Sequence, residues 1–247
     1  MNSFTTITTA GDLSSQTIET AFRKTALVAG IIYLLTFVSV PTLSLYGAIH
    51  NPDYITSSAS DTPVIVGGIL EIIVGLAGIA SALALYPVLK LQSESAALGL
   101  IAVRVLEATL IFAGVACLLT IVTLKQGGAG AESINIGQAF DTMYDRIFSI
   151  SQNLTPAICD LILGILFYQS RLIPRFLSVV AIVGAFVLIG VDIAIIAGVF
   201  KLRTPMTAVG AVGVAFFEFS LGILLVVKGV SFRIRKNEQP LVEIYRG

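Results

Sequence analysis

Six long apolar runs, separated by short polar stretches, dominate the pattern of residues along the chain. About 20 consecutive apolar residues let a helix cross the hydrocarbon core of a bilayer, and each run reaches this length. The pattern therefore predicts an all-α fold, a polytopic integral membrane protein built as a six-transmembrane-helix bundle over residues 25–228. The predicted spans are residues 25–49, 63–89, 97–124, 147–168, 176–200 and 205–227.

Polar segments flank the predicted bundle. Residues 1–24 form a polar N-terminal segment, and residues 229–247 form a basic tail. Arg23 and Lys24 directly precede the first apolar run, and no small-residue cleavage pattern follows it, so we interpret that run as a true span rather than a secretory signal. Pro41 predicts a kink near the outer end of this span.

The basic residues of the connections divide unevenly between the two sides of the predicted bundle. With the N-terminus inside, ten Lys and Arg residues lie on the inner side and four on the outer side. Cytoplasmic connections carry the excess of Lys and Arg, so the pattern predicts a cytoplasmic N-terminus, and the even number of spans predicts a cytoplasmic C-terminus. The four outer residues are Lys125, Arg146, Lys201 and Arg203.

The longer outer loop, residues 125–146, begins with a glycine-rich stretch and continues with amphipathic spacing. Apolar residues recur there at helical intervals, which predicts a helix that runs straight into the fourth span. These apolar residues are Ile136, Phe140, Met143, Tyr144 and Ile147.

Composition indicates that a bilayer is the solvent. Hydrophobic residues make up 56% and charged residues 12% of the 247-residue chain, and the mean hydropathy is +0.94. A soluble domain carries about 25% charged residues. The formal net charge is zero, so nothing indicates a nucleic-acid partner.

Motifs of familiar enzyme chemistries are absent from the sequence. Cys117 and Cys159 both fall inside predicted spans and His50 is the single histidine, which excludes a zinc site of the His or Cys type. The sequence contains no nucleophile elbow, phosphate-binding loop or dinucleotide-binding turn. We therefore predict no cofactor, and the sequence favours a protein that is not an enzyme.

Six ionisable residues lie inside the predicted spans. An Asp, Lys or Arg at mid-helix costs about 2.5–3.5 kcal/mol on insertion scales. Such residues face the bundle interior, where they pair or line a pathway. Together with an asparagine of the fourth span they are candidates for a ligand site or ion pathway. The candidates are Glu71, Arg104, Glu107, Asn153, Asp160, Asp192 and Glu218.

Helical stripes through three of these acids carry small or polar residues. Small residues let helices approach closely in membranes, so the stripes are predicted to be packing faces rather than lipid faces. The fourth-span stripe combines polar, small and helix-breaking residues, which indicates a cavity wall. The stripes are Glu71, Gly75, Gly78 and Ala82 in the second span, Ser149, Asn153, Pro156, Asp160 and Gly164 in the fourth, and Thr207, Ala211, Ala215, Glu218 and Gly222 in the sixth.

Arg104 and Glu107 are three residues apart and can pair along one helix. The pair is either an internal salt bridge that makes insertion tolerable or part of a site. One arginine cannot neutralise five acids, so the others hold protons, bind a cation, face water or serve as hydrogen-bonded structural groups. Asp160 and Asp192 invite comparison with intramembrane aspartyl proteases, but the segment 189–192 lacks the second glycine of that family.

Three further segments are informative in combination: residues 23–34 (RKTALVAGIIYL), 103–108 (VRVLEA) and 170–178 (SRLIPRFLS). In this order they resemble a bacterial family of multi-pass membrane proteins catalogued as domain of unknown function 4386. The likeness covers about residues 20–230. The resemblance implies a bacterial cytoplasmic membrane and a helical bundle, implies no activity, and draws attention to Arg104 and Glu107.

Three functions remain as hypotheses. The first is a small transporter or ion-coupled carrier that uses the intramembrane carboxylates. The second is a non-catalytic membrane sensor or assembly partner, because no motif is present. The third is an intramembrane lipid-modifying enzyme in which Arg104 holds an anionic headgroup and a carboxylate acts as acid or base. The expected partners are the lipid bilayer, a small solute or ion, and, under the second hypothesis, another protein.

Overall fold

The computed structural model describes residues 10–38, 42, 44–128, 131–202 and 204–228. This part of the chain contains helices and turns and no strand, which confirms the predicted all-α fold class. A π-helical segment, Ser149–Leu154, joins the fourth and fifth helices. The α-helices are α1 (Ala10–Leu35), α2 (Thr62–Leu89), α3 (Glu94–Gln126), α4 (Ala131–Phe148), α5 (Thr155–Ser170), α6 (Arg175–Ile196) and α7 (Pro205–Val227).

Five helical stretches of the described residues are long and apolar enough to cross a membrane. They are α2, α3, the continuous stretch Glu132–Ser170 that combines α4 with α5, α6 and α7. The C-terminal part of α1 covers the start of the first predicted span and completes the bundle. The prediction of a multi-pass helical membrane protein is therefore confirmed, whereas the cytoplasmic position of the two termini stays a prediction.

Among the described residues, the first predicted span is not one continuous α-helix. After α1 the chain forms a 3-10 turn, Thr36–Val38, instead of continuing as a helix to residue 49. The Thr36 hydroxyl donates to the carbonyl of Tyr33 at 2.6 Å, and this local bond competes with regular helical hydrogen bonding. Residues 46–49 form turns that fold against the bundle. Pro41, the predicted kink, lies outside the described residues.

The membrane-crossing segments close into a ring. Each packs against the segment before it and the segment after it, and α7 packs against α1. In addition, α3 packs against α5. Short connections between antiparallel neighbours favour this order of packing. The ring brings side chains from α1, α3, α5 and α7 together in its interior.

The two ends of the ring differ in charge. One end, which we name the basic face, exposes Lys90, Arg171, Arg175 and Lys228. The other end, which we name the opposite face, carries α4 and the chain between α1 and α2. Because cytoplasmic connections concentrate Lys and Arg, the basic face is the one predicted to meet the cytoplasm.

The fourth span runs without interruption from α4 through the π segment into α5, as the amphipathic spacing predicts. Pro156 lies in the first turn of α5, and in a regular helix its ring would clash with the carbonyl one turn earlier. The wider π turn, in which the Thr155 N–H bonds the carbonyl of Ile150, relieves that clash. The Thr155 hydroxyl donates to the Ser151 carbonyl at 2.8 Å, where proline supplies no amide hydrogen.

Glycines set the closest approaches between helices. A Cβ at Gly213 of α7 would lie 2.8 Å from the Cα of Gly184 of α6. A Cβ at Gly30 of α1 would lie 2.9 Å from the carbonyl oxygen of Gly222 of α7. Close backbone contact of this kind stabilises helix pairs in lipid, where van der Waals packing is the main attraction.

The predicted packing stripes are correct for two spans and partly wrong for the last. Every stripe residue of the second and fourth spans is buried. In α7, however, Ala215 is exposed and Glu218 is only half-buried. The reason is that Gly210, Val214 and Phe217 form the buried face of α7, which rotates the predicted stripe toward its edge.

Candidate functional site

Arg104 of α3 is the centre of a charged group inside the ring. Its Nη1 donates to both carboxylate oxygens of Glu107, at 3.0 and 2.9 Å. Its Nη2 donates at 3.0 Å to Oε1 of Glu218 in α7 and at 3.0 Å to the hydroxyl of Tyr33 in α1. The arginine side chain is 4% exposed, so these three neighbours provide its environment in place of water.

Local features of the helices explain how the arginine is accommodated. The i, i+3 spacing places Glu107 one turn above Arg104 on the same side of α3. Gly78 of α2 packs beside the arginine stem, and a Cβ there would lie in ordinary van der Waals contact, 3.6 Å from Cδ of Arg104. The Tyr33 ring lies 5.6 Å from the guanidinium carbon and adds a cation–π contact.

Asp160 of α5 supplies a third carboxylate to this group. The residue is fully buried, and neither of its carboxylate oxygens has a hydrogen-bond partner. It lies within electrostatic reach of Glu218, Arg104 and Glu107. Three carboxylates therefore lie in the field of one guanidinium, which bonds two of them, and full ionisation would leave two negative charges unbalanced in the bilayer interior. We name Tyr33, Arg104, Glu107, Asp160 and Glu218 the Arg104 cluster.

Glu71 of α2 lies apart from the Arg104 cluster, nearer the opposite face. The hydroxyl of Tyr144 in α4 donates to its Oε1 at 3.2 Å, and the glutamate is 2% exposed. The ring of Tyr46 stands edge-on to that of Tyr144, with centroids 5.8 Å apart. Glu71 is thus a hydrogen-bonded acid that ties α2 to the amphipathic helix α4.

Asp192 of α6 and Asn153 of the fourth span form another separate group. The Ser149 hydroxyl and the Asn153 amide nitrogen both donate to Oδ1 of Asp192, the latter at 3.4 Å. Asp160 follows Asn153 by seven residues in the chain, which is about 10 Å along a helix. Asp160 faces the Arg104 cluster and Asp192 faces the π segment, so the two aspartates do not form a catalytic dyad.

The candidate residues thus divide into three places. Arg104, Glu107, Asp160 and Glu218 come together, whereas Glu71 stands with Tyr144, and Asn153 with Asp192. The expected cavity wall in the fourth span is instead a packed surface, since its five stripe residues are buried against neighbouring helices.

Sequence reasoning missed the tyrosine partners of the acids. Tyr33 and Tyr144 each bring a phenol into the bundle, and a buried tyrosine hydroxyl usually finds a hydrogen-bond partner. Tyr33 lies inside the first apolar run, where a tyrosine well away from the run's ends was a usable signal. For Tyr144, the helical spacing of apolar residues predicts a packing position and not a hydrogen bond to an acid.

Polar residues of the opposite face form a site that the sequence did not suggest. His50 Nδ1 lies 2.6 Å from Oδ1 of Asp141, and Asp145 completes a trio whose ligand atoms lie within 4.8 Å of one another. A cavity of about 50 Å³ adjoins His50 and Asp141. The trio combines one imidazole with two carboxylates. This mixed set of ligand atoms differs from the His- and Cys-type zinc sites that the sequence excludes. All three side chains are half-buried, and the short contact between His50 and Asp141 is a hydrogen bond.

An ion pair connects the residue before α2 to the last turn of α3. Lys125 Nζ lies 2.9 Å from Oδ1 of Asp61, which also accepts from the Tyr54 hydroxyl at 2.7 Å. Gln126 donates to Oδ2 at 3.1 Å. Partial burial raises the pKa of Asp61, but the hydrogen bonds from Lys125, Tyr54 and Gln126 outweigh it and hold this pKa below its usual range.

A ring of membrane-crossing helices with a charged group in its interior defines a multi-pass α-helical membrane protein with intramembrane ionisable residues. A family model described as "Domain of unknown function (DUF4386)" matches residues 28–229, so the chain belongs to that family, as the resemblance in the sequence predicts. The matched region contains the whole Arg104 cluster. Neither the curated proteins nor the solved structures provide a match to the chain.

Proposed function

We propose that this protein is a proton-coupled carrier of a small solute in the cytoplasmic membrane of a bacterium, and that the Arg104 cluster is its proton-binding site. The observation that supports this most is Asp160, a fully buried carboxyl group with two unpartnered oxygens beside an arginine that is already bonded to two other acids. An ionised carboxylate without a partner is very costly in a low-dielectric interior, so the surplus acids favour protonation.

The cluster has the parts needed for exchange between two arrangements. Arg104 bonds Glu107 and Glu218, while Asp160 interacts with the same guanidinium through its field and makes no hydrogen bond to it. Protonation of Glu218 would weaken its bond to the guanidinium and allow Arg104 to turn toward Asp160. Charged pairs that switch partners in this way are a common device of membrane pumps and carriers.

Glu218 is the natural point at which a proton reaches the cluster. Its side chain is 15% exposed, whereas those of Glu107 and Arg104 are 8% and 4% exposed. Its bond to Arg104 connects α7 to α3, which are not neighbours in the ring. Loss of that bond would therefore release a contact across the bundle, which is the kind of bistable link that alternating access requires.

Two rival functions are weighed by the same contacts. An enzyme acting on lipid would need Arg104 for an anionic headgroup, but the guanidinium is buried and bonded to Glu107, Glu218 and Tyr33. A sensor or assembly partner would need no proton exchange, so it is the function favoured by a negative result in the experiment below.

The test is a measurement of solute-evoked currents. Purified protein is reconstituted in liposomes on a solid-supported membrane, and amino acids, sugars, organic acids and cationic amines are applied at several pH values. We expect at least one class to evoke a pH-dependent current in the wild type. Asp160→Asn and Glu218→Gln should each abolish it.

The matched control is Glu71→Gln, which changes an equally buried acid outside the Arg104 cluster and should keep the current. Folding of each variant is checked by its melting temperature in detergent. The proposal fails if the folded wild type gives no current with any class, or if folded Asp160→Asn and Glu218→Gln variants carry the wild-type current.

A further inference from the structure

A second group of buried polar side chains, which we name the Asp192 group, lies between the π segment and α6, toward the opposite face of the ring. Asp192 has no exposed surface, Ser149 is 2% exposed and Asn153 is 5% exposed. These three residues come from two different spans, and the hydrogen bonds from Ser149 and Asn153 both go to Oδ1 of Asp192. The Asp192 group is therefore formed by the packing of two spans inside the bundle and is not a surface feature.

An ionised Asp192 would have no balancing charge within the Asp192 group. Oδ2 of Asp192 is buried and has no hydrogen-bond partner. None of the ion pairs among the described residues includes Asp192, and its two donors are neutral. A buried carboxylate served only by two neutral donors on one oxygen leaves most of its desolvation cost without compensation. A cation against Oδ2 would supply what is missing.

The side chains that contact Asp192 carry oxygen atoms that could bind a hard metal ion. The Ser149 hydroxyl has two lone pairs besides its hydrogen, and the Asn153 side chain carries a carbonyl oxygen next to the nitrogen that makes the long 3.4 Å contact. Rotation of the hydroxyl hydrogen and of the amide would turn both oxygens toward a cation at Asp192. Oxygen donors select hard metal ions over the soft ones that thiolates and imidazoles hold.

The π segment contributes in a second way. Because of its i to i+5 hydrogen bonds and Pro156, the backbone carbonyls beside the Asp192 group do not make the regular α-helical hydrogen bonds. Irregular helix segments of this kind are frequent at functional sites, and unwound backbone carbonyls coordinate Na⁺ in several transporter folds. One carboxylate with neutral oxygens matches the charge of a monovalent ion, whereas a divalent ion would leave one positive charge in excess.

We propose that Asp192, Ser149 and Asn153 form a binding site for a monovalent metal cation of the sodium type. The cation would join α6 to the fourth span through oxygens from both. This site is separate from the Arg104 cluster and does not depend on the proposed carrier function. It would stabilise the folded protein even in a chain that transports nothing.

The experiment is a melting-temperature titration of the full chain in detergent. Sodium, lithium, potassium and choline chloride are compared at constant ionic strength and constant pH. A ligand that binds only the folded state raises the melting temperature in a saturable way. We expect sodium to raise it saturably relative to choline, because choline is a bulky organic cation that offers no metal centre for the oxygens to coordinate.

Three variants test whether the rise in melting temperature with sodium depends on the Asp192 group. Asp192→Asn should abolish the sodium-dependent rise, and Ser149→Ala and Asn153→Ala should each weaken the apparent sodium affinity by at least tenfold. Ser151→Ala is the matched control, since it removes a buried hydroxyl from the same π segment without touching Asp192. It should keep the wild-type sodium response. If Asp192→Asn does not fold, the Ser149 and Asn153 variants carry the test alone.

Two results would overturn the inference. One is a melting temperature that rises no more in sodium than in choline. The other is a sodium response that persists unchanged in the Ser149 and Asn153 variants. Neither result bears on the Arg104 cluster, and a failure to detect solute currents would leave this titration unaffected.

Discussion

Nη2 of Arg104 in α3 lies 3.0 Å from Oε1 of Glu218 in α7, and this bond connects two helices that do not pack against each other in the ring. The same guanidinium bonds Tyr33 of α1, which also lies across the ring from α3. A single side chain thus links three spans through the centre of the bundle. Such a link makes the cluster important for the stability of the fold as well as for any exchange of protons.

Replacement of the central arginine should destabilise the protein strongly. Arg104→Met removes the cation that balances Glu107 and Glu218, and breaking a buried pair from one side costs about 3–5 kcal/mol. We expect a clear drop in the melting temperature in detergent. Adding Glu107→Gln and Glu218→Gln to Arg104→Met should recover part of the lost melting temperature, because the two glutamines carry no charge that needs the arginine. An Arg104→Met variant that melts like the wild type would contradict this prediction.

The sequence predicts part of the Arg104 cluster directly. The i, i+3 spacing of Arg104 and Glu107 predicts their pairing, which the structure contains. The predicted spans also place three of these residues at similar depths, since Arg104 lies seven residues after the third predicted span begins, Asp160 eight before the fourth ends and Glu218 nine before the sixth ends. What the chain does not specify is the rotation of each helix about its axis. Rotation depends on packing against neighbours, and it decides whether acids at one depth converge.

The remaining acids show two physical limits of a periodic pattern. An α-helical stripe places Asn153 with Asp160, but the π segment adds a residue to one turn and directs Asn153 toward Asp192 instead. His50 and Asp141 belong to a loop and an amphipathic helix that meet only through tertiary packing, so no local spacing predicts their contact. A periodic pattern therefore predicts neither an irregular helical turn nor a contact between distant segments.

The close approach of α6 and α7 should be sensitive to one methyl group. Gly184→Ala would place a Cβ 2.9 Å from the backbone carbon of Gly213, and relief of such overpacking costs about 1–3 kcal/mol. We therefore expect Gly184→Ala to lower the melting temperature. Gly190→Ala in the same helix is the control, because a Cβ there meets nothing within 4 Å. That change should be neutral or stabilising, since alanine favours a helix over glycine by about 1 kcal/mol. Equal effects of the two substitutions would contradict the assigned contact.

The ion pair between Asp61 and Lys125 should give a defined pH dependence. The pKa of Asp61 is held below its usual range by Lys125, Tyr54 and Gln126, against the effect of its partial burial. Its stabilising contribution is therefore fully present above the unfolded pKa of about 3.9 and is lost as the pH falls through the folded pKa. Asp61→Asn should lower stability at neutral pH by about 1 kcal/mol or less, as expected for a pair near the surface.

The measurement for Asp61 is the difference in melting temperature between wild type and Asp61→Asn as a function of pH. The difference should be constant from neutral pH down to about pH 5 and should shrink below about pH 4. Asp53→Asn is the control, because Asp53 is exposed. A difference that grows as the solution becomes more acidic would show that the hydrogen bonds favour the protonated form instead.

The orientation of the bundle can be measured with introduced thiols, because both native cysteines are buried: Cys117 is 5% exposed and Cys159 is not exposed. Ser58 lies exposed on the opposite face and Ser95 lies exposed on the basic face, in the first turn of α3. In intact bacteria a membrane-impermeant maleimide should label Ser58→Cys, and it should label Ser95→Cys only after permeabilisation, because the excess of Lys and Arg is predicted to keep the basic face in the cytoplasm. The unsubstituted chain should remain unlabelled in both conditions. Labelling of Ser95→Cys alone in intact cells would reverse the orientation and with it the side from which protons reach Glu218.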